Sequence, residues 1–259
     1  MRRASDGDGA VSKPVPSMRL DRLLANLGYG SRREMQALAK NGRITLDGAE
    51  LTDADRRLSL TPDLPGRLLI DGRDLDPLPG VALMLHKPLG VTCSHKEVGA
   101  LVYDLLPNRW RGRDPAISTV GRLDKETSGL LLLTDDGGLL HRIISPKSHV
   151  AKRYLVTLDR PMTGEEGKTF ADGGLLLEGD DKPLMPAQLE VLSPTSALLT
   201  IHEGRYHQVR RMFAAVGNHV TALHRDRIGG LELKETLESG QWRIMTPEDL
   251  SAVFSGPAS

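Results

Sequence analysis

The apolar runs in the latter two-thirds of this chain are short and do not alternate with helical stretches. β-like runs lie at 81–86, 130–133, 154–158, 188–192 and 197–201. The clearest helix is 206–216. Val209, Met212, Phe213 and Val216 form its apolar stripe, and His207, Arg210, Arg211 and Ala214 repeat the spacing on the opposite face. Strands that outnumber helices without alternating with them predict an α+β fold with a mixed, mainly antiparallel sheet flanked by helices. No internal repeat is visible.

The N-terminal part is patterned differently. Residues 1–16 hold Gly, Ser, Pro and charge without periodicity and read as a disordered tail. From Met18 onward, Leu20, Leu23, Leu24 and Leu27 mark one helix face, which Gly28-Tyr29-Gly30 ends. Ser31 and Glu34 have the spacing of a capping box. The second helix buries Met35, Leu38 and Ala39 and stops at Asn41-Gly42. Ile44, Thr45 and Leu46 form a short strand before an Asp47-Gly48 hairpin turn. Residues 59–80 are rich in Pro, Gly and Asp, with room for a strand at 67–70, and 77–80 is the expected boundary. The expected division is a tail at 1–16, a helix-turn-helix-hairpin module with linker at 17–78, a larger domain at 79–250 and a flexible end at 251–259.

Lys and Arg number 34, and Asp and Glu number 34. A neutral total argues mildly against a strongly basic nucleic-acid binder, but the charge is segregated. Residues 17–45 hold six bases and two acids, 141–154 hold four bases and no acid, and 201–230 hold five arginines against two acids. Acids collect at 159–190 and 232–249. Local basic segments attract phosphates on a neutral chain, because exposed charges beyond a Debye length are screened. With one cysteine, Cys93, and no apolar stretch near the N-terminus, the expected setting is the reducing cytoplasm. The four-leucine run at 130–133 is far too short to span a bilayer. Phe, Tyr and Trp together number nine, so each tyrosine outside the core is a functional candidate.

The module at 18–48 (MRLDRLLANLGYGSRREMQALAKNGRITLDG) resembles the RNA-binding domain named for ribosomal protein S-four. The resemblance implies RNA contact by Arg32, Arg33, Lys40 and Arg43. Basic residues at a helix start, beside free backbone amides, suit phosphates.

The most informative stretch is GRLDKETSGLLLLTDDG at 121–137: a polar turn, a buried four-leucine strand and a second turn. Asp124 stands just ahead of the apolar run. A carboxylate there is partly desolvated and needs a cation to stay ionised, with Arg122, Arg210 and Arg211 as candidates. Spacing alone favours an ordinary turn former. The stretch is similar, however, to the central motif of the pseudouridine synthases. HKPLGV at 86–91, SPKSHVAKRYLV at 145–156, EGRYHQVRRMFAAVGNHV at 203–220 and LHRDRIGG at 223–230 resemble further motifs in the same order. With the S-four-type module in front, the match is to the ribosomal small-subunit branch of that family, over about 18–250.

The resemblance implies isomerisation of one uridine in folded ribosomal RNA, with the base flipped out and no cofactor or metal. It makes Asp124 the catalytic carboxylate and leaves open whether it attacks the sugar, adds to the base or removes a sugar proton. It pairs Arg210 with Asp124 and stacks Tyr154 on the uracil. Arg122 would help extrude the base or hold a phosphate, and Lys87 would be structural or phosphate-facing. RNA contact is further expected at Arg205, Arg211, Arg225 and Arg227. The expected partner is small-subunit rRNA or an assembly intermediate, with no membrane, and the expected state is a monomer. Large-subunit rRNA is the nearest alternative, and a non-catalytic rRNA-binding or assembly protein is the alternative from another class. His202, His207, His219 and His224 are irregularly spaced for zinc. Asp135 and Asp136 read as strand-to-helix turn chemistry, without the spaced ligands calcium needs.

Overall fold

The structure, a computed structural model, describes residues 15–256. Most of the expected N-terminal tail, and the last three residues, lie outside the described residues. The described residues fall into two compact units, divided between residues 78 and 79 except that 112–114 belong with the first.

In the first unit, β1 (Ser17–Arg19) pairs antiparallel with β4 (Arg57–Ser59), so Met18 belongs to a strand and not to the first helix. Helices α1 (Leu20–Asn26) and α2 (Arg32–Lys40) follow. The capping box forms: Ser31 Oγ accepts from the Glu34 amide, and Glu34 accepts from the Ser31 amide at 2.7 Å. Strands β2 (Ile44–Leu46) and β3 (Ala49–Glu50) make the hairpin. After α3 (Leu64–Arg67), β5 (Leu68–Ile70) and β6 (Arg73–Asp74) complete a sheet of order β3-β2-β5-β6. Leu20, Leu23, Leu24 and Leu27 are fully buried against Met35, Ala39, Ile44 and Leu68.

The second unit is built on one sheet. Its strands are β7 (Ala82–Lys87), β8 (Ser118–Thr119), β9 (Ser128–Thr134), β10 (Lys152–Leu158), β11 (Gln188–Ser193), β12 (Ser196–Ile201), β13 (Val220–Ile228), β14 (Leu231–Glu232) and β15 (Trp242–Ile244). The order is β11-β12-β10-β13-β9-β7-β15, with β14 beside β13 and β8 beside β9. All these pairs are antiparallel except β9 with β13. The mainly antiparallel α+β expectation therefore holds.

The four leucines form a central strand covered on both faces. Leu131 and Leu133 join Leu83, Leu85, Val156 and Phe213, whereas Leu130 and Leu132 join Ala82, Met84, Ile143 and Val253. The first layer includes α6 (Gln208–Ala215); the second includes α4 (Gly137–Ile144) and α7 (Pro247–Phe254). Helix α5 (Glu166–Ala171) adds Phe170 to the first layer. Asp136 caps α4 by accepting from the Gly138 and Leu139 amides, which bears out the turn-chemistry reading.

Two differences from the sequence reading have clear causes. The end expected to be flexible from 251 is helical through Phe254, because Thr246 and Asp249 form a capping box and Val253 is fully buried. Strand β13 was not expected, because its polar run His224-Arg225-Asp226-Arg227 reads as a charged segment, not as the core of a sheet.

The parallel seam sets Arg225 beside Gly129 and His224 beside Ser128. Gly129 has φ +112, and a Cβ there would lie 2.2 Å from the Arg225 carbonyl oxygen. Only glycine satisfies both conditions. Gly129→Ala is expected to destabilise the second unit by about 3 kcal/mol, read as a shift in the denaturant midpoint. An unchanged midpoint would contradict this view of the seam.

Candidate active site

Asp124 lies in the turn before β9, where the Thr127 amide donates back to the Asp124 carbonyl at 3.0 Å. The next three carbonyls are held from outside the turn. Lys87, at the end of β7 and fully buried, donates its Nζ to Thr127 O at 2.8 Å, Pro88 O at 2.9 Å and Lys125 O at 3.4 Å. Burial pushes the Lys87 ammonium down from its ordinary range, while the charges of Cys93, Asp124 and Glu126 oppose that shift. Arg210, on α6, donates to Glu126 O at 2.8 Å and Val220 O at 2.9 Å. Two cations thus fix the backbone that presents Asp124.

This corrects one expectation. Arg210 does not form the expected ion pair with Asp124; its guanidinium is occupied by backbone carbonyls. The ionisable partner of Asp124 is His207, whose Nε2 lies 3.3 Å from Oδ1. His207 does not lie within the helix as its spacing suggested. It precedes α6 in the left-handed region at φ 48, and its ring stacks on the exposed Tyr206 at 3.9 Å. The signal in the sequence was the Tyr-His pair just before a helix start.

Asp124, its side chain about one-third exposed, opens onto a cavity of about 450 Å³. Tyr154 and Lys152 enter it from β10 and Arg225 from β13. Tyr154 is opposite Arg225 in the strand register, and Lys152 precedes Tyr154 by two residues on the same face. Arg225 donates Nε to Leu130 O at 2.8 Å and Nη1 to the Tyr154 hydroxyl at 3.3 Å. Arg122 is exposed at the cavity edge. Lys152 could have been found from the alternation of the strand, which puts it on the face of Tyr154.

The other expected RNA-contact residues divide. Arg33 and Lys40 are exposed on α2, with no ion pair among the described residues. Arg32 is half spent: its Nε and Nη2 donate to Asp21, a fully buried carboxylate that also receives Arg19 and Gln36. Burial alone would raise the Asp21 carboxyl, but these donors pull it down to about 2. Arg43 is clamped in a two-point ion pair with Asp71 at 2.7 and 2.6 Å.

Arg205 and Arg211 are not the free phosphate contacts expected of them. Both donate to Asp180 at 2.7 Å, and they also take the carbonyls of Lys182, Pro183 and Glu178. The acidic stretch at 159–190, apart in sequence, returns in space to neutralise part of the basic stretch at 201–230. Arg227 stands 3.6 Å from Glu232, which also meets Arg153. Arg225 is 3% exposed, so it is no surface contact. Among the described residues, no group of three or more His, Cys, Asp or Glu side chains is placed to hold a metal ion. No helix there is long and apolar enough to cross a membrane.

Comparison with known proteins decides the family. Residues 81–215, which carry most of the cavity lining, match the family model described as RNA pseudouridylate synthase, and residues 18–61 match that of the S4 domain. The chain belongs to the RNA pseudouridylate synthase family. It is 40% identical over 237 residues to the ribosomal small subunit pseudouridine synthase A of Vibrio cholerae, covering 92% of this chain and all of that protein. The protein of the same name from Escherichia coli K12 is 41% identical over 240 residues, covering 91% of this chain and all of that one. A crystal structure of a pseudouridylate synthase superposes with a TM-score of 0.64 at 36% identity, covering 91% of this chain and 99% of that one. This pseudouridine synthase therefore pairs an N-terminal S4 domain with a sheet domain that isomerises uridine in RNA.

If the grip of Arg210 on the turn aims Asp124, Arg210→Met should lower kcat about 100-fold with little change in RNA affinity, because small misplacements of a reacting group are costly. Single-turnover rates and filter binding would measure this. A normal rate would rule out the aiming role.

Proposed function

We propose that this synthase isomerises one uridine of small-subunit ribosomal RNA, with Asp124 as the residue that meets the reacting nucleotide. One observation carries the reading: Asp124 is held by its backbone at the mouth of a cavity that has Tyr154 within it. A base must leave its stack to be reached, and an aromatic ring commonly receives it. Tyr154 is 9% exposed, and its hydroxyl is fixed by Arg225. Its place within the cavity suits contact with a flipped uracil. Arg122, exposed at the edge, suits insertion into the gap the base leaves.

The isomerisation moves one bond from nitrogen 1 to carbon 5 of the ring and gains or loses no group, so the chemistry calls for no cofactor. The RNA itself would be captured chiefly by the S4 domain. Arg33 and Lys40 supply its exposed charge, and Arg32 and Arg43 contribute the parts of their guanidinium groups left accessible. The small-subunit target is supported by the names of the relatives matched along their whole length. A monomer in the cytoplasm completes the proposal.

Asp124→Asn is expected to abolish tritium release from RNA labelled at uridine carbon 5 while leaving RNA binding intact. Turnover at the normal rate would remove Asp124 from the mechanism. Retained turnover with lost binding would exchange the two roles. Arg33→Glu with Lys40→Glu should instead weaken binding and reduce the slope of log K against log salt by about two. An unchanged slope would take the phosphate contacts away from α2.

A further inference from the structure

We propose that Lys152 and Arg225 form a cationic site that stabilises the negative charge developed on the uracil ring when its bond to the sugar breaks. The inference rests on the assignment of this cavity to the reacting uridine.

Both cations lack a counter-charge. Arg225 is 3% exposed, and its Nη2 is buried without a hydrogen-bond partner. Its other contacts are a carbonyl and the Tyr154 hydroxyl, both neutral. The Lys152 ammonium makes no hydrogen bond or ion pair among the described residues. Burial, with a smaller contribution from Arg225, pushes Lys152 down to about 8. The cavity is lined by two acids, and neither forms an ion pair with Lys152 or Arg225 among the described residues. Asp124 faces His207 at 3.3 Å, and Glu203 takes Arg205 at 3.1 Å, Gln208 at 3.1 Å and the Met185 amide at 2.8 Å. Two unpaired cations in one cavity oppose folding. Their placement makes chemical sense if negative charge arrives during the reaction.

Uridine is neutral when it binds. When the bond between sugar carbon 1′ and nitrogen 1 breaks, its electron pair stays on the ring and spreads over the ring oxygens. If the carboxylate first adds to the base, the pair again moves into the ring as an enolate. After rotation, carbon 5 uses a ring pair to bond to carbon 1′. Carbon 5 then gives up its proton, nitrogen 1 takes one up, and the ring is neutral again. Negative charge on the ring is thus common to these routes and absent from substrate and product. Fixed cations that meet charge present only during the reaction accelerate the step without tightening binding. Because Arg225 also holds the Tyr154 hydroxyl, the same guanidinium orients the proposed base-contacting ring.

Lys152→Met keeps most of the unbranched side chain and removes its charge. The expected result is a loss of about 100-fold in kcat with KM and the salt dependence of binding unchanged. The melting temperature should rise, because an uncompensated half-buried charge is gone. With RNA carrying 5-fluorouridine at the target, consumption of that nucleoside should depend less on Lys152, by about tenfold, because fluorine itself stabilises the ring anion. Consumption is read in single turnover by mass spectrometry. An unchanged kcat would overturn the inference. So would a raised KM with a shallower salt slope at constant kcat, which would make Lys152 a phosphate contact. Equal losses on uridine and 5-fluorouridine would make the role structural. Asp124→Asn, run in parallel, separates the two levels: if it stays active, the cavity assignment fails. If it is inactive while Lys152→Met is normal, the charge-stabilising role alone fails.

Discussion

Two cations gripping one turn, one of them fully buried, give the catalytic half of this protein its geometry. Lys87 and Arg210 come from distant elements, and between them they take the carbonyls of Lys125, Glu126 and Thr127. The Lys87 bond to the Thr127 carbonyl satisfies a buried backbone acceptor that would otherwise be costly, and the other bonds hold the exposed part of the turn. Together they fix the turn without touching the Asp124 carboxylate, which remains available to substrate and to His207. The aim of the carboxylate is thereby separated from its charge. An arginine paired directly with Asp124 would have tied the two together.

The sheet makes this arrangement possible. The parallel seam between β9 and β13 is the one exception in an otherwise antiparallel sheet, and it depends on Gly129 letting two backbones approach. That seam delivers Arg225 beneath the segment that begins at Asp124, while the antiparallel pairing of β13 with β10 sets Arg225 against Tyr154. The Thr-Ser-Gly-Leu stretch after Asp124 is therefore a packing requirement as much as a chemical signature. The two-sided burial of Leu130 to Leu133 anchors the strand on which that seam depends.

Much of this was legible in the sequence. Short apolar runs located five of the main strands, a 3.6-residue period located α1, α2 and α6, and the spacing of Ser31 and Glu34 located the cap, because these elements bury apolar side chains in a local pattern or close on a local hydrogen bond. Strand β13 escaped because one of its buried residues, Arg225, sits within the polar run His224-Arg225-Asp226-Arg227, and an arginine in a basic run reads as surface. The site was legible as a set of residues but not as a set of partners. Asp124, Tyr154 and Arg210 converge on one region, yet Arg210 grips backbone, and backbone acceptors leave no trace in side-chain patterns. Arg205 and Arg211 read as free charges because Asp180, which binds both, lies more than twenty residues away in an acidic stretch. Net charge by segment cannot reveal such re-pairing. Only the fold does.

The most direct test of the central claim is a map of pseudouridines in ribosomal RNA from cells that lack this protein, complemented with either the wild-type chain or Asp124→Asn. A turn held to present Asp124 to a uridine of small-subunit RNA predicts one pseudouridine lost from that RNA, restored by the wild type and not by the variant. A map that is unchanged without the protein, or a site restored by Asp124→Asn, would contradict it.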